Sequence, residues 1–299
     1  MENKKVNFKD QGSIAGLSFS LSVFFFVLTL VVGGIVLSLC VDENSVVYTA
    51  LSYVFSPLAL IVVVLLCARF TGEKVLPCVG VKKCRIKYYL SGILLAGGML
   101  LGLGFVNTYF AQLLAGWGIS ISNATLPLDS VWHYLLFVLV SAILPAVTEE
   151  CLFRGVVLKN ARGMGMLACV LLNGLIFSLY HWSLSQLVYQ FIYGAALAFL
   201  AYKAGSVIPS IIAHFINNFA IITLTYFKVN LDLFSPVVIA IGVALLMGFV
   251  LLTLLPIKKG ENNENLVNKK GERKSFLITA SLGVLICVLY IVINSVVKV

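Results

Sequence analysis

Charge is the scarce ingredient of this 299-residue chain: Asp, Glu, Lys and Arg make up 11% of it, against 61% hydrophobic residues and a mean hydropathy of +1.05. Soluble domains carry about a quarter of their residues as charged ones. That class is therefore excluded, and an integral membrane protein is implied. The ten-residue alternation of a membrane β-strand is also lacking. This excludes a barrel and leaves helices, the other architecture that satisfies every backbone group in lipid. The seven cysteines, Cys40, Cys67, Cys78, Cys84, Cys151, Cys169 and Cys287, form no Cys-x-x-Cys pair. Neither a disulfide framework nor a zinc knuckle is indicated. A His-Glu-x-x-His zinc signature is missing, and so is a clear internal repeat of the kind many transporters carry.

Long apolar runs are what the chain has in abundance. Crossing roughly 30 Å of hydrocarbon takes about 20 helical residues, and suitable runs occur at 13–41, 46–68, 88–116, 131–157, 166–182, 185–202, 206–227, 233–257 and 275–297. The expected fold is all-α and polytopic, with about eight to nine transmembrane helices and a catalytic core in helices 4–7. The first run is about twice the length of a signal-peptide core and lacks a convincing cleavage site, so it reads as a retained helix. Along the chain, 1–130 holds helices 1–3, 131–226 the core and 227–257 helix 8. A hydrophilic linker, 258–274, precedes a last helix at 275–299 that is expected to be peripheral.

Lysine and arginine set the orientation, because basic loops stay cytoplasmic. Lys4, Lys5 and Lys9, the stretch Arg69 to Lys87, Lys159 with Arg162, Lys203, and the six basic residues from Lys258 to Lys274 fall on one side of alternating crossings. The other side holds only Lys228 and Lys298 and carries Asp42, Glu43, Asp129 and Asp232. A cytoplasmic N-terminus and an outer C-terminus are expected, in a cell membrane that is expected to be bacterial. Topology and anionic headgroups account for the net charge of +9, so no nucleic-acid partner is called for. Asn123-Ala-Thr125 matches a glycosylation acceptor but is too common a tripeptide to carry weight.

Three apolar runs hold polar groups that a bilayer rejects: Glu149-Glu150-Cys151-Leu152-Phe153-Arg154, Phe177-Ser178-Leu179-Tyr180-His181 and His214-Phe215-Ile216-Asn217-Asn218. Ionisable residues at membrane depth point to function. Glu150 and Arg154 stand four apart on one helix face in the favourable order for an ion pair. Glu149 lies roughly 100° around the helix and must find its partner elsewhere. Desolvation and a neighbouring like charge tune a carboxylate toward general-base work, which is the chemical reading of Glu149; a structural ion network is the alternative. His214 and Asn218 share a face and offer donors to an oxyanion, while a carboxylate with a second imidazole, His181, can hold and deprotonate water. His133, between Trp132 and Tyr134, reads as an interfacial residue. Asn173, Asn217 and Gln190 suit inter-helix hydrogen bonds. In simple alternation, however, Glu149 approaches the cytoplasmic side and His181 the outer side. They meet only if the fourth helix runs on past Gly155 and the turn at 182–185 lies below the surface.

Glu-Glu-x-x-x-Arg, Phe-x-x-x-His and His-x-x-x-Asn, in that order on successive helices, resemble the CPBP family of intramembrane proteases. That family includes the type II CAAX prenyl endopeptidases and bacteriocin-processing or immunity proteins. The resemblance covers about 131–226. It implies an endopeptidase in which Glu149 and His181 activate water, His214 and Asn218 stabilise the oxyanion, and Glu150, Arg154 and Phe177 support them. Its substrate is a membrane-associated protein or peptide, met in the lipid bilayer. No cofactor is favoured; zinc on Glu149, His181 and His214 with an open position is the alternative. Outside this class stand an ion- or proton-coupled transporter and a non-catalytic scaffold or immunity protein.

Overall fold

The computed structural model describes residues 11–119, 126–255 and 271–296. The N-terminal lysines, Asn123-Ala-Thr125, linker residues 258–270 and Lys298 lie outside the described residues. Among the described residues nine apolar helices of 15 residues or more follow one another: α1 (Gln11–Cys40), α2 (Val46–Thr71), α3 (Ile86–Gly116), α4 (Val131–Met164), α5 (Met166–Tyr180), α6 (Leu187–Ala204), α7 (Ile208–Tyr226), α8 (Pro236–Leu254) and α9 (Glu272–Val296). Eight are long and apolar enough to cross a membrane. The protein is thus an all-α, polytopic integral membrane protein. Ser45 and Ser130 begin α2 and α4 by accepting from Tyr48 N at 3.1 Å and His133 N at 3.2 Å; Pro209 and Pro236 stand in the first turns of α7 and α8, where a missing N–H is harmless.

The fifth run differs from the rest. α5 has 15 residues, about 22 Å at helical rise, short of the ~30 Å of hydrocarbon. It ends at His181 partway through the layer. α4 in turn extends to Met164, beyond the 157 read from hydropathy, and the two helices turn over at Gly165. Gly165 stands sixteen residues from Glu149 and sixteen from His181, about 24 Å along each antiparallel helix. The two ends that simple alternation kept apart therefore lie at comparable depth.

Contacts gather the basic segments at one end. Lys159 Nζ lies 2.7 Å from Glu73 Oε2, and Ser206 Oγ donates to Lys82 O at 2.5 Å. Arg162 donates to Tyr202 O at 3.2 Å, Lys87 to Leu255 O at 2.8 Å and Arg273 to Met164 O at 3.0 Å. The loops sorted together by charge are thus together in space.

The last helix corrects an expectation: α9 is not peripheral. Its Phe276, Ala280, Cys287 and Ile291 are buried in one core with Ala15, Phe19 and Val23 of α1. Ser20 Oγ donates to Thr279 O at 2.7 Å and accepts from Gly283 N at 3.2 Å. Gly16 permits this approach, since a Cβ there would collide with Thr279 and the Phe276 backbone. Small residues let helix backbones touch where no water drives them together.

Candidate active site

The two glutamates lie on a short α-helical segment, Leu144–Glu150, bracketed within α4 by π-helical turns at Val138–Ile143 and Cys151–Val157. Wide turns of this kind recur at functional sites. Pro145 gives the first one a local cause, since its ring lacks an N–H and crowds the carbonyl four residues earlier, that of Ser141. That carbonyl accepts from Asn218 Nδ2 of α7 at 3.3 Å. A proline inside an apolar run thus ties α4 to α7.

Glu150 is completely enclosed. Its Oε1 receives Arg154 Nη1 at 2.7 Å, with both side chains at 0% exposure, and His214 Nδ1 at 3.0 Å. Arg154 Nη2 donates to Gly194 O at 2.9 Å, and its guanidinium lies 4.1 Å from the Phe177 ring centre. Gly194 is required at this point, because a Cβ would sit 2.7 Å from Phe177 Cδ1. Phe177 also meets the rings of His181 at 4.6 Å and His214 at 5.9 Å. The supporting set expected from the motifs, Glu150, Arg154 and Phe177, is therefore assembled, and His214 joins it.

Glu149 faces elsewhere. With His181 it lines a cavity of about 220 Å³ whose other walls are Phe26, Leu30, Ser56, Tyr180, Trp182 and Tyr290. Its Oε2 is buried with no hydrogen-bond partner among the described residues, so the expected partner on another helix is absent for that atom. His181 Nδ1 is 2.9 Å from Phe177 O; a carbonyl only accepts, so Nδ1 carries the hydrogen and Nε2 of the neutral ring keeps its lone pair. Trp182 Nε1 is a second buried group without a partner there. Ser56 Oγ and Tyr180 OH satisfy each other at 3.1 Å. A larger groove of about 520 Å³, around Leu224, Lys228 and Leu233, contains none of the motif residues.

His214 and Asn218 do not line the small cavity. With Nδ1–H given to the Glu150 carboxylate, His214 Nε2 donates only when the ring is an imidazolium. Asn218 is held by Ser141 O and by Asn217 Nδ2 at 3.4 Å on its Oδ1, while Asn217 in turn accepts from Tyr189 OH at 3.3 Å. Asn173 Nδ2 donates to Phe153 O at 2.7 Å between α5 and α4, and Gln190 to Gln186 Oε1 at 3.4 Å within one turn. Asn173 and Asn217 thus make inter-helix hydrogen bonds as expected, whereas Gln190 does not. No three His, Cys, Asp or Glu side chains among the described residues converge in a manner suited to a metal ion, Glu149, His181 and His214 included. This donor set does not fit zinc as arranged, and no step is routed through it.

Phe26, Leu30, Ser56, Tyr180, Trp182 and Tyr290 escaped the motif reading. Three of them, Phe26, Leu30 and Tyr290, come from α1 and α9. The small-residue face of Gly12, Gly16 and Ser20 is the signal that α1 has a close neighbour.

Residues 131–220 match the sequence model of the Rce1-like type II CAAX prenyl endopeptidases. That interval, about a third of the chain, carries all three motifs. No curated protein and no solved structure matches the chain.

Proposed function

We propose that the protein is an intramembrane endopeptidase that hydrolyses a peptide bond of a membrane-associated protein or peptide with water activated by Glu149. The observation that carries this reading is the contrast on one helical turn: Glu150 Oε1 is held by Arg154 and His214 in a sealed pocket, whereas Glu149 lines a cavity with His181, although each carboxylate keeps an Oε2 without a partner among the described residues. A family match to proteases supports the reaction class.

In the proposed mechanism one water donates its hydrogens to Glu149 and to His181 Nε2, leaving an oxygen lone pair free to attack the scissile carbonyl. Glu149 takes a proton as the carbon–oxygen bond forms. It returns that proton to the amide nitrogen as the carbon–nitrogen bond breaks, giving a carboxylic acid and an amine without an acyl-enzyme. The family resemblance assigns the oxyanion donors to His214 and Asn218, which stand next to the cavity residues on the adjoining helix rather than in the cavity lining. No cofactor enters these steps. In the proposed topology the gathered basic loops face the cytoplasm.

The test compares membrane-proteome N-termini in cells carrying the native chain, Glu149→Gln or His214→Ala at equal levels. Products lost in both variants support a protease and name its substrate. An unchanged set favours the transporter or scaffold class.

A further inference from the structure

Trp182 follows His181 directly, and its backbone is unusual: φ is 56°, in the left-handed region. Glycine occupies that region freely, whereas a bulky side chain there is a genuine outlier. Among the described residues one other non-glycine shares it, the exposed Lys228. Strain of this kind persists where the surroundings enforce it, often at functional sites.

The surroundings of Trp182 enforce it from both ends of the chain. Its ring meets Phe26 of α1 edge-on at 5.3 Å and Tyr290 of α9 edge-on at 4.5 Å. Neither residue lies in the family-matched segment 131–220. Held this way, the indole forms a wall of the cavity that Glu149 and His181 line. Its Nε1–H is buried without an acceptor among the described residues. Buried indole donors usually find a partner, and an exception calls for an explanation. Trp182, whose Nε1 is an unmatched donor, and Glu149, whose Oε2 is an unmatched acceptor, thus both line this cavity.

We propose that Trp182 is a substrate-binding residue of this site, its indole N–H donating to a backbone carbonyl oxygen of the peptide undergoing cleavage, with Phe26 and Tyr290 as positioning residues that hold the ring. The proposal rests on the endopeptidase reading above. A carbonyl acceptor and an attacking water together satisfy the two unmatched atoms, which an apolar side chain filling the cavity does not. The aromatic cage also explains why a tryptophan is kept where the backbone favours glycine.

Two substitutions separate this role from a structural one. Trp182→Phe keeps an aromatic ring and removes the N–H. Trp182→Gly removes the ring with its packing on Phe26 and Tyr290 and relieves the left-handed backbone, so its cleavage is read on equal amounts of folded chain. Both are compared with the native chain and Glu149→Gln at matched membrane levels, reading the rate at which proteolytic N-termini appear and the thermal unfolding of each full chain in detergent. Trp182→Phe should slow the products that Glu149→Gln abolishes by roughly ten- to a hundredfold, the range for leaving a buried polar partner unsatisfied. Trp182→Gly should slow them at least as much per folded chain. Native rates in Trp182→Phe, alongside loss in Glu149→Gln, overturn the proposal while sparing the protease. Earlier unfolding of Trp182→Phe in step with its lost cleavage also overturns it, in favour of a packing role. If Glu149→Gln itself leaves the products unchanged, the protease reading fails and takes this one with it.

Discussion

Glu150 sits in a sealed pocket with its Oε1 against a guanidinium and an imidazole, while Glu149, one residue earlier and roughly 100° around the helix, lines a cavity beside His181; each keeps an Oε2 with no partner among the described residues. The two share a backbone, a depth and a side-chain chemistry, so their surroundings alone distinguish them. An ion pair taken out of water is weak evidence for stability, yet removing one partner strands a charge. Glu150 is therefore a residue the fold cannot release. Glu149 is free of such ties, as a group that must accept and return a proton requires. The same separation appears between the imidazoles, since His214 is engaged by Glu150 and His181 only by a backbone carbonyl.

The most damaging way to break this contrast is Arg154→Met. It leaves Glu150 buried without its main counter-ion, and a loss of about 3–5 kcal/mol of stability is expected, seen as early thermal unfolding and low membrane yield, with turnover lost as well. Unaltered unfolding would mean that His214 alone suffices for Glu150. Next comes Glu149→Gln, which should cut product formation by roughly 10²- to 10⁴-fold and leave the unfolding temperature close to native; a variant that cleaves normally would move the general base elsewhere. Smaller again is Gly16→Leu, which forces α1 from α9 at an estimated 1–3 kcal/mol, the usual range for overpacking. Because Phe26 and Tyr290 belong to those helices, cleavage should fall more than the lost stability explains, as measured on equal amounts of folded chain. The mildest change is Lys159→Ala. Lys159 and Glu73 also meet at 2.7 Å, but each side chain is 41% exposed, so less than about 1 kcal/mol is expected. A larger loss would show that bond length rather than burial ranks the two ion pairs.

Much of the architecture could be read from hydropathy and charge. All nine apolar runs became helices, and the described basic loops came together. Within the site, the Glu150–Arg154 pair followed from four-residue spacing. The depth of Glu149 and His181 did not, because a hydropathy run does not reveal where an apolar helix turns; Gly165, halfway between the two residues, was the missing marker. Hydropathy also misjudged α9, whose hydrophilic linker hid a face that fits Gly16 and Ser20. Trp182 stood out only as part of the 182–185 turn, since neither a left-handed φ nor an unpaired N–H leaves a trace in composition.

That Phe26 and Tyr290 close one cavity also bears on the order of events during synthesis. They are 264 residues apart in sequence, so at roughly 5–20 residues per second a ribosome releases the second some 13–53 s after the first. Over the last 76 of those residues, from His214 to Tyr290, the nascent chain holds both glutamates and both site histidines but lacks the last wall of the cavity. The cavity is thus unfinished until the final helix arrives.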